Sequence, residues 1–238
     1  MTIQFPRDAA PFIATSRDIL RSHGIELTIG SNFEEYSEII RTERTVQNLG
    51  APFDYKKQEL NKADAFWLIG RNRFGDLIHS QAAKKIHLAD DNLATHLMSN
   101  FQKFPPPLPG VDLENSRFRA TPGAHRIKGN VVYHGEVWMH PEEGTYRGTG
   151  LSTVLARTGL LEIMRRWNPD FIYGFMLRQV AFKGFSERMG YFHNEPGALY
   201  WQVAGREDPI EAFLTWLSDE DAKFLLDIPV EDLVKRAA

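Results

Sequence analysis

Residues 131–167, VVYHGEVWMHPEEGTYRGTGLSTVLARTGLLEIMRRW, constrain the fold more than any other stretch of the chain. The first nine residues read as an apolar strand, 140–146 as a polar connection, and 147–167 as a glycine-opened amphipathic helix. Leu151, Val154, Leu155, Thr158, Leu161, Met164 and Trp167 recur at spacings of three and four and predict one buried face. Arg157, Glu162, Arg165 and Arg166 are expected largely on the other side. The helix begins Arg147-Gly148-Thr149-Gly150-Leu151-Ser152. A glycine inside a helix costs roughly 1 kcal/mol relative to Ala, so two of them in the first turn need a reason. The first N–H groups of a helix have no intrahelical partner and carry the positive end of the dipole. With no β-carbons in the way, a phosphate can rest directly on those donors. A tight turn, or close packing of helix on strand, explains the same glycines equally well.

The chain has no G-x-x-x-x-G-K-[ST] and no G-x-G-x-x-G, since Thr153 stands third after Gly150. The segment R-G-T-G-L-S, after a strand ending Val137-Trp138-Met139-His140-Pro141, resembles motif A of the GNAT superfamily of acyl-CoA-dependent N-acyltransferases. That pattern is Q/R-x-x-G-x-G/A following V-x-P. Arg147 and Gly150 match it, Gly148 matches a common variant, and Ser152 stands where Gly or Ala is usual. Met139-His140-Pro141 takes the V-x-P place. Residues 179–191, QVAFKGFSERMGY, follow a strand expected over 170–176 and resemble the superfamily's motif B, N-x-x-A-x-x-[FL]-Y-E-K-x-G-F. Gln179 replaces Asn, Phe182 replaces Ala, and Ser186 replaces the Tyr that often protonates the leaving thiolate. The resemblance covers residues 30–205.

The resemblance implies an α/β (α+β) GNAT-type fold: a mixed, mostly antiparallel central sheet of about six or seven strands flanked by helices. It implies transfer of an acyl group, acetyl first among them, from acyl-CoA to a primary amine by direct attack, with acetyl-CoA as cosubstrate and no metal. The N–H groups of Gly148, Thr149, Gly150, Leu151 and Ser152 would hold the pyrophosphate, with Arg147 adding charge. The backbone of Val137, Trp138 and Met139 would pair with the pantetheine amides, and Gln179 and Phe185 would join the cofactor side. A β-bulge is expected in this strand, freeing backbone donors beside the reaction centre. The catalytic candidates are Glu136 and His134 as general base and Ser186 or Tyr191 as general acid. Strand alternation puts His134, Glu136, Trp138 and His140 on one face, a parity that a bulge would shift. Glu136 is the first choice, because a carboxylate on a buried strand suits proton acceptance; a buried Glu paired with an Arg is the alternative. Two other readings stand beside the enzyme. One is a catalytically silent acyl-CoA-binding module. The other is an acyl-homoserine-lactone synthase-like enzyme, whose E-x-SRF segment Glu114-Asn115-Ser116-Arg117-Phe118 resembles.

Composition narrows the partners. With a net charge of −3 over 238 residues, nothing favours nucleic acid or an anionic membrane as a bulk partner. Cysteine is absent, which removes disulfides, thiolate metal sites and Cys nucleophiles together. The eight His are scattered without H-x-H or H-E-x-x-H, and no G-x-S-x-G appears. The first residues lack a basic segment followed by an apolar core, and no apolar run reaches the ~18–20 residues of a membrane span, so a cytoplasmic protein is expected.

Before the motifs, the patterning predicts a helix over 8–23, a strand over 25–29, a helix over 31–47, and a hairpin at 65–79 whose outer strand runs on toward 88. Residues 89–130 read as an insertion ahead of the central strand, placed to cover the acceptor side. It holds a helix over 90–104 that stops at the rigid Pro105-Pro106-Pro107-Leu108-Pro109-Gly110 run. Residues 116–127 form a basic segment. After 206 the apolar spacing of Phe213, Trp216, Leu217, Phe224 and Leu225 predicts a helical C-terminal extension to 238, packed on the body or forming a homodimer contact. The whole chain, 1–238, reads as a single domain with its core at about 25–205. The acceptor is expected to be a small-molecule or peptide amine.

Overall fold

The computed structural model describes residues 9–44, 47–88, 90–142, 145–146 and 148–226. Eight strands form one sheet: β1 (Glu26–Gly30), β2 (Ala65–Arg71), β3 (Leu77–Ile86), β4 (Val111–Phe118), β5 (Val131–Met139), β6 (Phe171–Leu177), β7 (His193–Val203) and β8 (Ile210–Ser218). Their order is β1-β2-β3-β5-β6-β8-β7-β4. Every neighbouring pair is antiparallel except β5 and β6, which run parallel. That pair is joined by a helix, as parallel neighbours require.

Among the described residues the α-helices are α1 (Ala9–Ser22), α2 (Phe33–Glu43), α3 (Leu93–Asn100), α4 (Pro122–Arg126), α5 (Leu151–Trp167), α6 (Arg178–Ala181), α7 (Phe185–Met189) and α8 (Asp219–Leu226). Asn32 opens α2 by accepting from the N–H groups of Glu34 and Glu35, a cap with acids in the first turn. Apolar side chains of α2 and α3 share one core with Trp67, Tyr133, Tyr173, Trp201 and Trp216. On the other face of the sheet, α5 packs with α7, α8 and α1.

Three features depart from the sequence expectations. The sheet has eight strands because two more come from segments read otherwise. Residues 206–218 hold no helix: Ile210–Ser218 is a strand lying between β6 and β7. Its run AFLTWL is buried on both faces, so the period-two signal of a half-exposed strand is lost. Of the helical extension only α8 falls within the described residues; the expected helix over 229–238 lies outside them. The insertion at 89–130 contributes the edge strand β4 as well as α3 and α4. Third, α5 is buried almost all round from Thr153 to Met164, with Arg157 and Glu162 at 6% and 7% exposure. Helix α1 packs against α5, sharing a core cluster with Leu151, Val154, Leu155 and Leu161. Glu162 is held there by Arg165 and Arg166, one turn on.

Candidate active site

The site is set by what happens to β5 halfway along its length. Its parallel pairing with β6 ends at Tyr133 opposite Tyr173. The next residue of β6 is Gly174, where a β-carbon would sit 2.7 Å from the His134 carbonyl oxygen. Beyond this point the strands part. On the other edge of β5, Gly135 faces Ala82 and Trp138 faces Ser80, so Glu136 and Val137 together oppose Gln81. This is a β-bulge, which breaks the regular ladder and re-aims the side chains.

Glu136 takes φ 57° in the bulge, a left-handed conformation that costs a non-glycine residue about 1–2 kcal/mol. Its side chain holds it there. One carboxylate oxygen pairs with the Arg44 guanidinium at 2.6 Å, and the other accepts from the Gly50 N–H at 2.8 Å. Both side chains are buried, Arg44 completely. Arg44 also donates to the carbonyls of Gln47 and Asn48 and to the Ser80 hydroxyl. It thereby ties the end of α2, the segment after it and the bulge into one unit.

The bulge also separates the two base candidates. His134 lies on the α5 side of the sheet and Glu136 on the α2 side, so they do not share a face as plain alternation required. His134 belongs to a buried polar chain with defined proton positions. The Gln81 amide nitrogen donates to the Leu155 carbonyl at 2.7 Å, an atom that can only accept. The Gln81 oxygen therefore faces His134 Nε2 at 2.9 Å, and that nitrogen carries the proton. His134 Nδ1 is left with a lone pair and accepts from the Tyr191 hydroxyl at 2.9 Å. The second Gln81 amide hydrogen reaches His79 Nε2 at 3.1 Å. Burial pushes His134 down to about 4 and His79 to about 3, and pushes Tyr191 above the ordinary phenol range. All three are neutral near pH 7. Gly159 of α5 makes room for this chain, since a β-carbon there would run into the Gln81 amide.

A cleft of about 390 Å³ opens where β5 and β6 part. On one side it meets Val180, Phe185 and Met189 from the two short helices after β6, and Tyr191 just beyond them. On the other it meets Phe53, Phe104 and the chain from Pro105 to Leu108, so the proline run walls this side. His134, Glu136 and Val137 line it between the two.

At the start of α5, Gly148 and Gly150 both adopt left-handed backbone, φ 80° and φ 86°. Gly150 is the N-cap and supplies no side-chain cap. Gly148 is exposed, with open space where a β-carbon would be. The Thr149 hydroxyl turns back to the Tyr146 carbonyl at 2.9 Å. The two glycines give the turn its left-handed backbone, and no described residue covers Gly148; Arg147 lies outside the described residues. Leu151 is buried in the core and Ser152 half-buried. Trp138 and Met139 are buried at the end of β5. Gln179 is exposed on α6 and does not line the cleft. The Ser186 hydroxyl is fully buried and donates to Glu187, also away from the cleft. Motif B is not one helix but two, α6 and α7, parted by Gly184 in left-handed backbone.

Sequence reasoning missed Arg44, Gln81 and Gly159. Gln81 sits in a strand of small and apolar residues, and Gly159 in the middle of a helix; each is the kind of local exception that marks a close contact.

No protein-family profile and no curated protein matches the chain. Among solved structures, it is similar to NAA60 of Arabidopsis thaliana in complex with acetyl-CoA, at 15% identity over 82% of this chain and 98% of that one, TM-score 0.47. It is also similar to an N-acetyltransferase from Staphylococcus aureus Mu50, at 11% identity over 82% and 98%, TM-score 0.45. A mutant of the SpeG spermidine N-acetyltransferase from Vibrio cholerae stands at 11% identity over 84% and 96%, TM-score 0.44. Likeness at this level concerns the fold alone. The parallel β5–β6 pair that parts midway, the bulge opposite Gln81 and the glycine-opened helix between the two strands are the distinguishing features of this mixed, mostly antiparallel α/β sheet.

Proposed function

We propose that the chain is a cytoplasmic acyl-CoA-dependent N-acyltransferase, with acetyl-CoA as the first donor to test and a primary amine as acceptor. The observation that carries this reading is the bulged, parted strand β5 followed by a helix entered through two left-handed glycines, Gly148 and Gly150. The turn at 148–152 offers N–H donors for the pyrophosphate. The backbone of Val137 and Trp138, next to the broken ladder, would pair with the pantetheine amides, and Phe185 would form an apolar wall beside them.

Direct transfer needs an unprotonated amine, an aligned thioester and a donor for the oxyanion. The amine nitrogen attacks the thioester carbonyl, the C–N bond forms, the C–S bond breaks, and the ammonium proton ends on sulfur, directly or through water. Glu136 and His134 were the base candidates, but Arg44 and Gly50 occupy the carboxylate of the first, and Tyr191 and Gln81 both nitrogens of the second. Their role in this reading is to fix the bulge. Ser186 is too deeply buried to serve as acid, and Tyr191, which lines the cleft, is the acid candidate that this reading keeps.

The same engagement of Glu136 and burial of Ser186 favour, as a second reading, a module that binds acyl-CoA without turnover. Calorimetric titration of coenzyme A separates binding from chemistry. Gly150→Val, checked for fold by circular dichroism, is expected to weaken coenzyme A by at least about tenfold, 1.4 kcal/mol. Unchanged affinity in a folded variant ends the acyl-CoA reading. Free-thiol release with an amine panel then decides between enzyme and silent module.

A further inference from the structure

The acceptor half of the cleft carries almost no charge. Among the described residues lining the cleft, Glu136 is the one charged side chain, and both its oxygens are taken. The walls are rings and prolines. Phe104 meets Tyr133 edge-on at 4.9 Å and Phe175 at 5.8 Å, and Phe53 stacks on Tyr133 at 5.6 Å. Lys84 lies 5.6 Å from the Phe104 ring, adding a positive neighbour behind the wall. The Tyr133 hydroxyl, at the parting of the strands, has no hydrogen-bond partner among the described residues.

A polyamine, an amino acid or a peptide N-terminus would bring charges into this space that no group there can pair, and unpaired charges are expensive to desolvate. A neutral amine avoids that cost, and apolar surroundings favour the neutral form in which nitrogen is nucleophilic. Resting on the acyltransferase reading above, we propose that the acceptor is a primary amine on an aromatic body, bound uncharged against Phe53, Phe104 and Phe175, with the Tyr133 hydroxyl as its hydrogen-bond partner.

Thiol release from acetyl-CoA is measured with 2-phenylethylamine and with spermidine, and coenzyme A binding is measured separately by calorimetry. The expected kcat/KM favours 2-phenylethylamine by about a hundredfold, and Tyr133→Phe, which breaks no internal hydrogen bond, lowers it about tenfold without lowering the melting temperature. Leu108→Glu, on the exposed rim, should shift the ratio toward spermidine. Spermidine equal to or better than 2-phenylethylamine, or coenzyme A binding with no use of 2-phenylethylamine, overturns the acceptor assignment and leaves the cofactor site standing. Absence of coenzyme A binding takes down the acyltransferase reading, and the acceptor assignment with it.

Discussion

The two sides of β5 at the bulge solve the same problem in opposite ways. On the α2 side a strained backbone is held by charge, Glu136 against Arg44, with neither side chain in water. On the α5 side the backbone is held by a neutral chain, Tyr191 to His134 to Gln81 to His79, in which each proton has one place. The ion pair is strong only while both partners are present. The neutral chain spreads its contribution over several bonds. Neither side presents a free base to the cleft, so removal of the amine proton in the proposed reaction falls to the substrates and water.

Removing one charge should therefore cost most. Arg44→Met leaves a carboxylate at 5% exposure with only the Gly50 N–H, and about 3–5 kcal/mol of stability should be lost in urea unfolding. Arg44→Met with Glu136→Gln should recover much of that, because no buried charge then lacks a partner. A single mutant costing under about 1 kcal/mol would mean that the pair is wetter than its geometry says.

The neutral side should answer to pH instead. His134 titrates at about 4 in the fold and near 6.5 unfolded, so below 6.5 the unfolded chain binds a proton that the native state refuses. Stability is complete above that pH and falls as the pH drops toward 4. Between pH 7.5 and pH 5 this group alone should remove roughly 2 kcal/mol. His134→Gln should flatten the loss by that amount, as read from urea midpoints at the two pH values; an unchanged slope would put the loss elsewhere, with His79 the next group to test.

The difference between the two sides also marks what was legible in the sequence. The bounds of β5 were readable residue by residue, because its apolar run is long and closed by Pro141. The expected bulge followed from a resemblance, not from the residues. The partner of Glu136 could be named only as an Arg, since Arg44 is 92 positions away and nothing local couples them. Strand β8 was misread because burial on both faces erases alternation, and its apolar spacing fits three- and four-residue steps as well as two. The burial of Arg157 was missed because it is set by tertiary packing round α5, which overrides the helix's own periodicity. What could be read was local; what could not was pairing across the sheet.

The smallest change tests the neutral chain at its open end. Tyr191→Phe removes one hydroxyl at 4% exposure and leaves His134 Nδ1 a lone pair without a donor. The Nε2 proton stays with Gln81, whose orientation is fixed by the Leu155 carbonyl, so the ring has no tautomer to escape to. The expected loss is about 1 kcal/mol, the usual size for one unmade internal bond to a neutral group. The nitrogen-15 shift of Nδ1 should stay that of an unprotonated nitrogen. Thiol release in the same variant separates structure from chemistry: a fall in kcat beyond what the lost stability explains would make the Tyr191 proton part of the departure of sulfur, and an unchanged kcat would leave that proton to the amine.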